Sequence, residues 1–196
     1  MLKPQDVCVL LKIVAIGPEP WSYQRLAIDL GMSASEVHAG VRRSAEVGLL
    51  RLDEGWGIPV PGALDELLVH GVRYVWPAAP GPVTTGIATG PWAPGLEDAP
   101  EGDGLPWVWP DAQGGVRGQA VEPLYKSMPA AAQRDGRLHL LLAFVDGIRA
   151  GNHDQRVWAV GALRACLGTS RAAPTRGNAA TVNRGHDGKK GQRVHG

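Results

Sequence analysis

Leu26 and Leu30 stand four residues apart, Val37, Val41 and Ala45 recur at the same spacing, and a polar break at Gly31 to Ser33 separates the two sets. That period predicts two short helices joined by a tight turn. Ser22 caps the first helix, and Ala27 is small enough to let the second approach closely. Gly31 supplies the left-handed residue that reverses the chain, with Met32 placed to plug the gap between the helices. Ser33 and Glu36 form a Ser-x-x-Glu capping box that opens the second helix. The face opposite Val37 and Val41 carries Ala34, Ser35, His38, Ala39, Arg42 and Arg43. Upstream, VCVLLKIVAIG is interrupted by Lys12 and reads as an amphipathic first helix, not a signal peptide.

Beyond residue 60 the pattern is mixed. Pro61 starts a helix bearing Leu64, Leu67 and Leu68, which Gly71 is expected to stop, and VRYVWP then reads as a short strand over Val72 to Trp76. Ala78 to Pro106 is rich in Pro, Gly, Ala and Thr and reads as a long loop, a candidate contact surface. Trp107 to Pro110 and Val116 to Val121 predict a β-hairpin beside the strand at Val72 to Trp76, with Trp107 and Trp109 in the core. The rest is helical: Met128 to Arg134, then RLHLLLAFVDGIRAG, then Asp154 to Leu167, the last two forming an αα-hairpin suited to dimerisation. The fold class expected is α+β, divided into 1–60, 61–168 and a tail, 169–196.

Leu26-Ala27-x-x-Leu30-Gly31-Met32-Ser33-x-x-x-Val37 followed by Gly48-Leu49-Leu50 resembles the winged helix-turn-helix of bacterial transcription factors, the MarR-like and related regulators. The resemblance makes Ser33 to Val47 a recognition helix and Gly48 to Leu50 the turn into the first wing strand. It implies that Ser22, Tyr23, Arg25, Ser33, Ala34, Ser35, Glu36, His38, Ala39, Arg42 and Arg43 face duplex DNA. Ser35, His38, Ala39 and Arg42 would then meet base edges, and Arg25 and Arg43 phosphates. Two features depart from the pattern. Gly40 lies inside the recognition helix, at a cost of about 1 kcal/mol relative to alanine, and Asp53 and Glu54 make the wing tip acidic, which disfavours a minor-groove contact.

Composition narrows the alternatives. The chain has 196 residues, 44% of them hydrophobic, and no apolar run of membrane-spanning length, so a folded cytoplasmic protein is expected. Cys8 and Cys166 have no partner at ligand-like spacing and are expected to be buried thiols. His38 is the one histidine read as functional. His70, His139 and His153 read as capping or surface residues, and Asp146, Arg149, His153 and Asp154 as groups that solvate and cap helix ends. The formal charge of +1 conceals an asymmetry, because Arg171, Arg176, Arg184, Lys189, Lys190 and Arg193 face only Asp187 in the last 26 residues. That stretch predicts a disordered basic arm, while the segment up to Leu50 has no excess of basic residues.

No phosphate loop, nucleophile elbow, HExxH or CxxC is present, so neither an enzyme nor a cofactor is expected. These readings converge on a sequence-specific DNA-binding transcriptional regulator, a homodimer repressing its own or a neighbouring operon. The alternative is an antitoxin or adaptor whose C-terminal part binds a protein partner encoded nearby.

Overall fold

A computed structural model of the chain describes residues 1–53, 56–100, 102 and 104–169. Glu54, expected at a wing tip, and the expected basic arm lie outside the described residues. Three helices come first: α1 (Pro4–Ile16), α2 (Tyr23–Leu30) and α3 (Ala34–Glu46). Strands β1 (Leu50–Asp53) and β2 (Trp56–Pro59) then pair antiparallel, with Leu50 opposite Pro59 and Asp53 opposite Trp56.

A single helical run follows. It starts as α4 (Pro61–Glu66), passes through a π-helical turn at Leu67–Gly71 and ends as α5 (Val72–Val75). Gly71 therefore does not stop the helix, and Val72 to Trp76 is not a strand. Leu64, Leu68 and Val72, each fully buried, recur every four residues along one face, and burial of that stripe overrides the β preference of VRYVW.

The segment expected to be a loop contains β3 (Val83–Thr89), which is followed by a 3₁₀ turn at Gly90–Trp92. Strands β4 (Trp107–Pro110) and β5 (Val116–Ala120) both pair antiparallel with β3, and where β4 and β5 meet they run parallel. The three close into a small barrel, so the expected hairpin is in fact two strands flanking a third. VTTGIAT has one large apolar residue on its buried half and a glycine at its centre, which hid β3 from a period-two reading. Trp107 and Trp109 are core residues, as their abundance suggested.

The last elements are α6 (Met128–Arg134), α7 (Gly136–Ala150) and α8 (His153–Leu167), the last two packed as an antiparallel pair. The architecture is α+β, and one continuous hydrophobic cluster runs from Val7 on α1 to Leu167 on α8. At its centre is α1, packed on α2, α3, β2 and α7 and buried at every position from Asp6 to Ile13, so it is not the amphipathic helix expected.

A buried polar network fixes the barrel to α7. The Asp146 carboxylate accepts hydrogen bonds from Thr89 Oγ1 at 2.8 Å, Trp109 Nε1 at 2.7 Å and Arg149 Nη1 at 2.6 Å. Arg149 also donates from Nε to the Trp76 carbonyl at 2.8 Å. His139 lies against the Trp109 ring and hydrogen-bonds the Ala88 carbonyl through Nε2 at 2.8 Å. Asp146, Arg149 and His139 are thus core residues and not the surface or capping groups expected; each is hydrogen-bonded, and Asp146 and Arg149 pair with one another, which offsets the cost of burying them. Cys8 is buried and its thiol is pushed up by that burial, whereas Cys166, expected to be buried, is exposed. No helix among the described residues is long and apolar enough to cross a membrane.

Candidate nucleic-acid interface

The turn between α2 and α3 is built by local chemistry. Ser22 Oγ accepts from the Arg25 backbone N–H at 3.2 Å, and Gly31 closes α2 in the left-handed conformation at φ 62°. Ser33 and Glu36 complete the capping box: Ser33 Oγ accepts from the Glu36 N–H at 3.2 Å, and the Glu36 carboxylate accepts from the Ser33 N–H at 2.9 Å. These bonds occupy two of the free backbone donors that open α3.

Gly40, on the face of α3 turned toward α1, permits that close approach. A Cβ there would stand 3.0 Å from Oδ1 of the buried Asp6. The glycine is thus the contact point of two helices and not a weakness in α3.

Ser33, Ala34, Ser35, His38 and Arg42 are exposed on the outer side of α3, with Ala39 and Glu36 half-buried. The His38 ring lies against Tyr23, 5.1 Å between centroids, and Tyr23 meets the buried Trp21 edge-on at 5.4 Å. Trp21 in turn donates from Nε1 to the Gly57 carbonyl of β2 at 3.0 Å. A relay of three rings therefore joins the β1–β2 pair, the start of α2 and the outer face of α3, and it narrows the orientations open to His38.

The arginines divide. Arg43 is held by Asp6 through two hydrogen bonds and its side chain is only 17% exposed, so it is a bracket between α3 and α1, not a free phosphate contact. Arg42 and Arg25 are exposed, at 69% and 72%. Arg42 lies 3.5 Å from Glu46 and Arg25 lies 3.0 Å from Asp29, pairs that compete only weakly with a phosphate in water. Arg51 stands exposed on β1.

Residues far along the chain complete the unit. Lys12 Nζ sits between Asp29 on α2 at 2.9 Å and Asp135, the N-cap of α7, at 2.7 Å. Burial acts to raise both carboxyls, but the Lys12 ammonium, joined by Arg25 at Asp29 and by the Leu138 backbone N–H at Asp135, holds them below the usual range. Ser127 Oγ donates to the Leu30 carbonyl at 2.6 Å, and Arg134 donates to the Asp29 carbonyl at 3.1 Å, satisfying the open end of α2. Tyr125 donates its hydroxyl to Glu36 at 2.9 Å. The Ser33 backbone N–H and hydroxyl, then Tyr125, keep the Glu36 carboxyl low.

Sequence reading missed Asp6, Lys12, Tyr125 and Ser127 as positioning residues; a charged pair inside an otherwise apolar first helix was the available signal for the first two. Among the described residues no cluster of three or more metal-ligating side chains occurs. No protein-family model, curated protein or solved structure matches the chain.

Proposed function

We propose that the chain is a sequence-specific DNA-binding transcriptional regulator whose residues 1–60 form a winged helix-turn-helix. The observation that carries this reading is one row on the outer face of α3. Ser35, His38 and Arg42 are exposed there, Ala39 lies between them, and none is consumed by the fold's core. Small and hydrogen-bonding groups lie toward the helix start and a guanidinium further along, the arrangement by which a helix enters a major groove and then meets phosphate. Ser35, His38 and Ala39 read base edges, while Arg42 and Arg25 contact phosphates, the role that Arg43 cannot fill. Regulation proceeds by occlusion of a promoter. A homodimer supplies two half-sites, because one short helix with few cations binds weakly alone.

A protein-binding role for the same molecule, as an antitoxin or adaptor, is favoured by one observation: Arg25 and Arg42 both lie next to carboxylates, so the face carries little net positive charge. Fluorescence anisotropy of the full chain on duplex from its own promoter and on a scrambled duplex, at two salt concentrations, separates the two. Promoter-selective binding with a salt slope supports the regulator. Equal weak binding to both duplexes, or none, overturns it in favour of the protein-binding role.

A further inference from the structure

In the first fifty residues Lys3, Lys12, Arg25, Arg42 and Arg43 are matched by Asp6, Glu19, Asp29, Glu36 and Glu46, a balance that gives little pull on a polyanion. A second segment, 125–137, lies against the same unit and changes that balance. Tyr125 donates its hydroxyl to Glu36 on α3, Ser127 donates to the Leu30 carbonyl and Arg134 donates to the Asp29 carbonyl. Three side chains therefore tie the segment to both sides of the α2–α3 turn. The approach is close, since a Cβ on Gly31 would stand 3.4 Å from that of Ser127.

Lys126 lies between two of these tethers, so it is fixed beside the start of α3, and it is exposed. Arg134 and Arg137 are exposed as well and, with Arg25, line a cleft of about 480 Å³ between α2 and the start of α7. The neighbouring acids are already occupied: Glu36 by Ser33 and Tyr125, Asp135 by Lys12, and Asp29 by Lys12 and Arg25. Lys126 and Arg137 have no ion-pair partner among the described residues. Arg134 gives one guanidinium nitrogen to a carbonyl and keeps further donors.

A helix that enters a major groove by its start has backbone phosphates on either side of that end. We propose that residues 125–137 belong to the DNA interface, with Lys126 on a phosphate beside the start of α3 and Arg134 and Arg137 on phosphates along α2. The proposal rests on the reading of α3 as the DNA-contacting helix. It makes the phosphate-binding surface a composite of the first sixty residues and a segment that follows the barrel in sequence.

Anisotropy of the full chain on promoter and scrambled duplexes across a salt series tests it, with urea midpoints to confirm folding. Lys126→Gln and Arg137→Gln are each expected to weaken both duplexes about fivefold and to lower the salt slope by about one, and the double variant by about two. Lys126→Arg keeps the parent's affinity and slope. Arg117→Gln, which removes an exposed charge from β5 of the barrel, leaves both unchanged. Inorganic phosphate displaces duplex no better than chloride at the same ionic strength. If the parent selects its promoter while Lys126→Gln and Arg137→Gln retain its slope, or Arg117→Gln lowers the slope equally, the segment is not at the interface and the reading of α3 stands. If the parent does not select its promoter, that reading fails and this one with it. Displacement by phosphate beyond that by chloride would make these cations a site for the free ion and overturns the proposal.

Discussion

The Asp6 carboxylate of α1 accepts two hydrogen bonds from the Arg43 guanidinium of α3, at 2.8 and 2.6 Å, with Asp6 fully buried. Removing the arginine leaves a desolvated carboxylate beside α3. Arg43→Ala is expected to destabilise the fold by about 3 kcal/mol, and Asp6→Asn combined with Arg43→Met to recover much of that loss. Urea unfolding of the three proteins is the measurement, and equal midpoints for Arg43→Ala and the parent would show that the pair is not structural.

Replacing Gly40 should run against helix propensity. In an open helix Gly→Ala adds about 1 kcal/mol, but here the new methyl meets an Asp6 oxygen that Arg43 holds in place. Gly40→Ala is expected to lower the melting temperature. Gly161→Ala, on the exposed face of α8 with nothing near its added carbon, is expected to raise it. A rise for both would mean that α1 and α3 have room to spare.

Acidification should weaken the fold in two stages. Burial lowers the His139 pKa, against the opposing pull of the Ala88 carbonyl and Asp146, so the folded state favours neutral imidazole. The unfolded chain then binds the proton first, and stability falls as the pH drops below about 6.5. The depressed carboxyls of Asp29, Asp135 and Asp65 contribute stability that is present above about pH 4 and lost below it. Urea midpoints across pH 3 to 8 should show both slopes, and His139→Gln should abolish the upper one.

On DNA, the two outer positions of α3 should separate by what they change. His38→Ala is expected to relax specificity at one base-pair position, and Arg42→Ala to weaken all sequences alike and reduce the salt slope by about one. Anisotropy titrations on single-substituted operators at several salt concentrations distinguish them. Identical effects on every duplex would remove α3 from the role of reader.

The succession of α2, a tight turn and α3 was legible because each of its signals is local. The Ser22 cap, the Gly31 reversal and the Ser33–Glu36 box all act within four residues, and all three are in place. The small barrel was not legible, since β3 is short on apolar residues and depends on partners 18 to 36 positions away. Val72 to Trp76 misled because β-branched and aromatic residues favour strands in isolation, whereas the Leu64–Leu68–Val72 stripe had a core waiting for it. At the candidate interface the exposed face of α3 followed from its period. That Arg43 is withdrawn from it depended on a residue 37 positions earlier, and the Tyr125 contact to Glu36 on one 89 positions later.

The central position of α1 has a consequence for synthesis. Lys12 must wait for Asp135, 123 residues downstream, before its charge is fully neutralised, and the side of α1 that packs on α7 has no cover until then. As the chain leaves the ribosome, its first sixty residues can form their turn and caps at once, yet they carry an uncovered apolar flank until α7 emerges. The interval before α7 appears is the one in which that flank is open to misassociation.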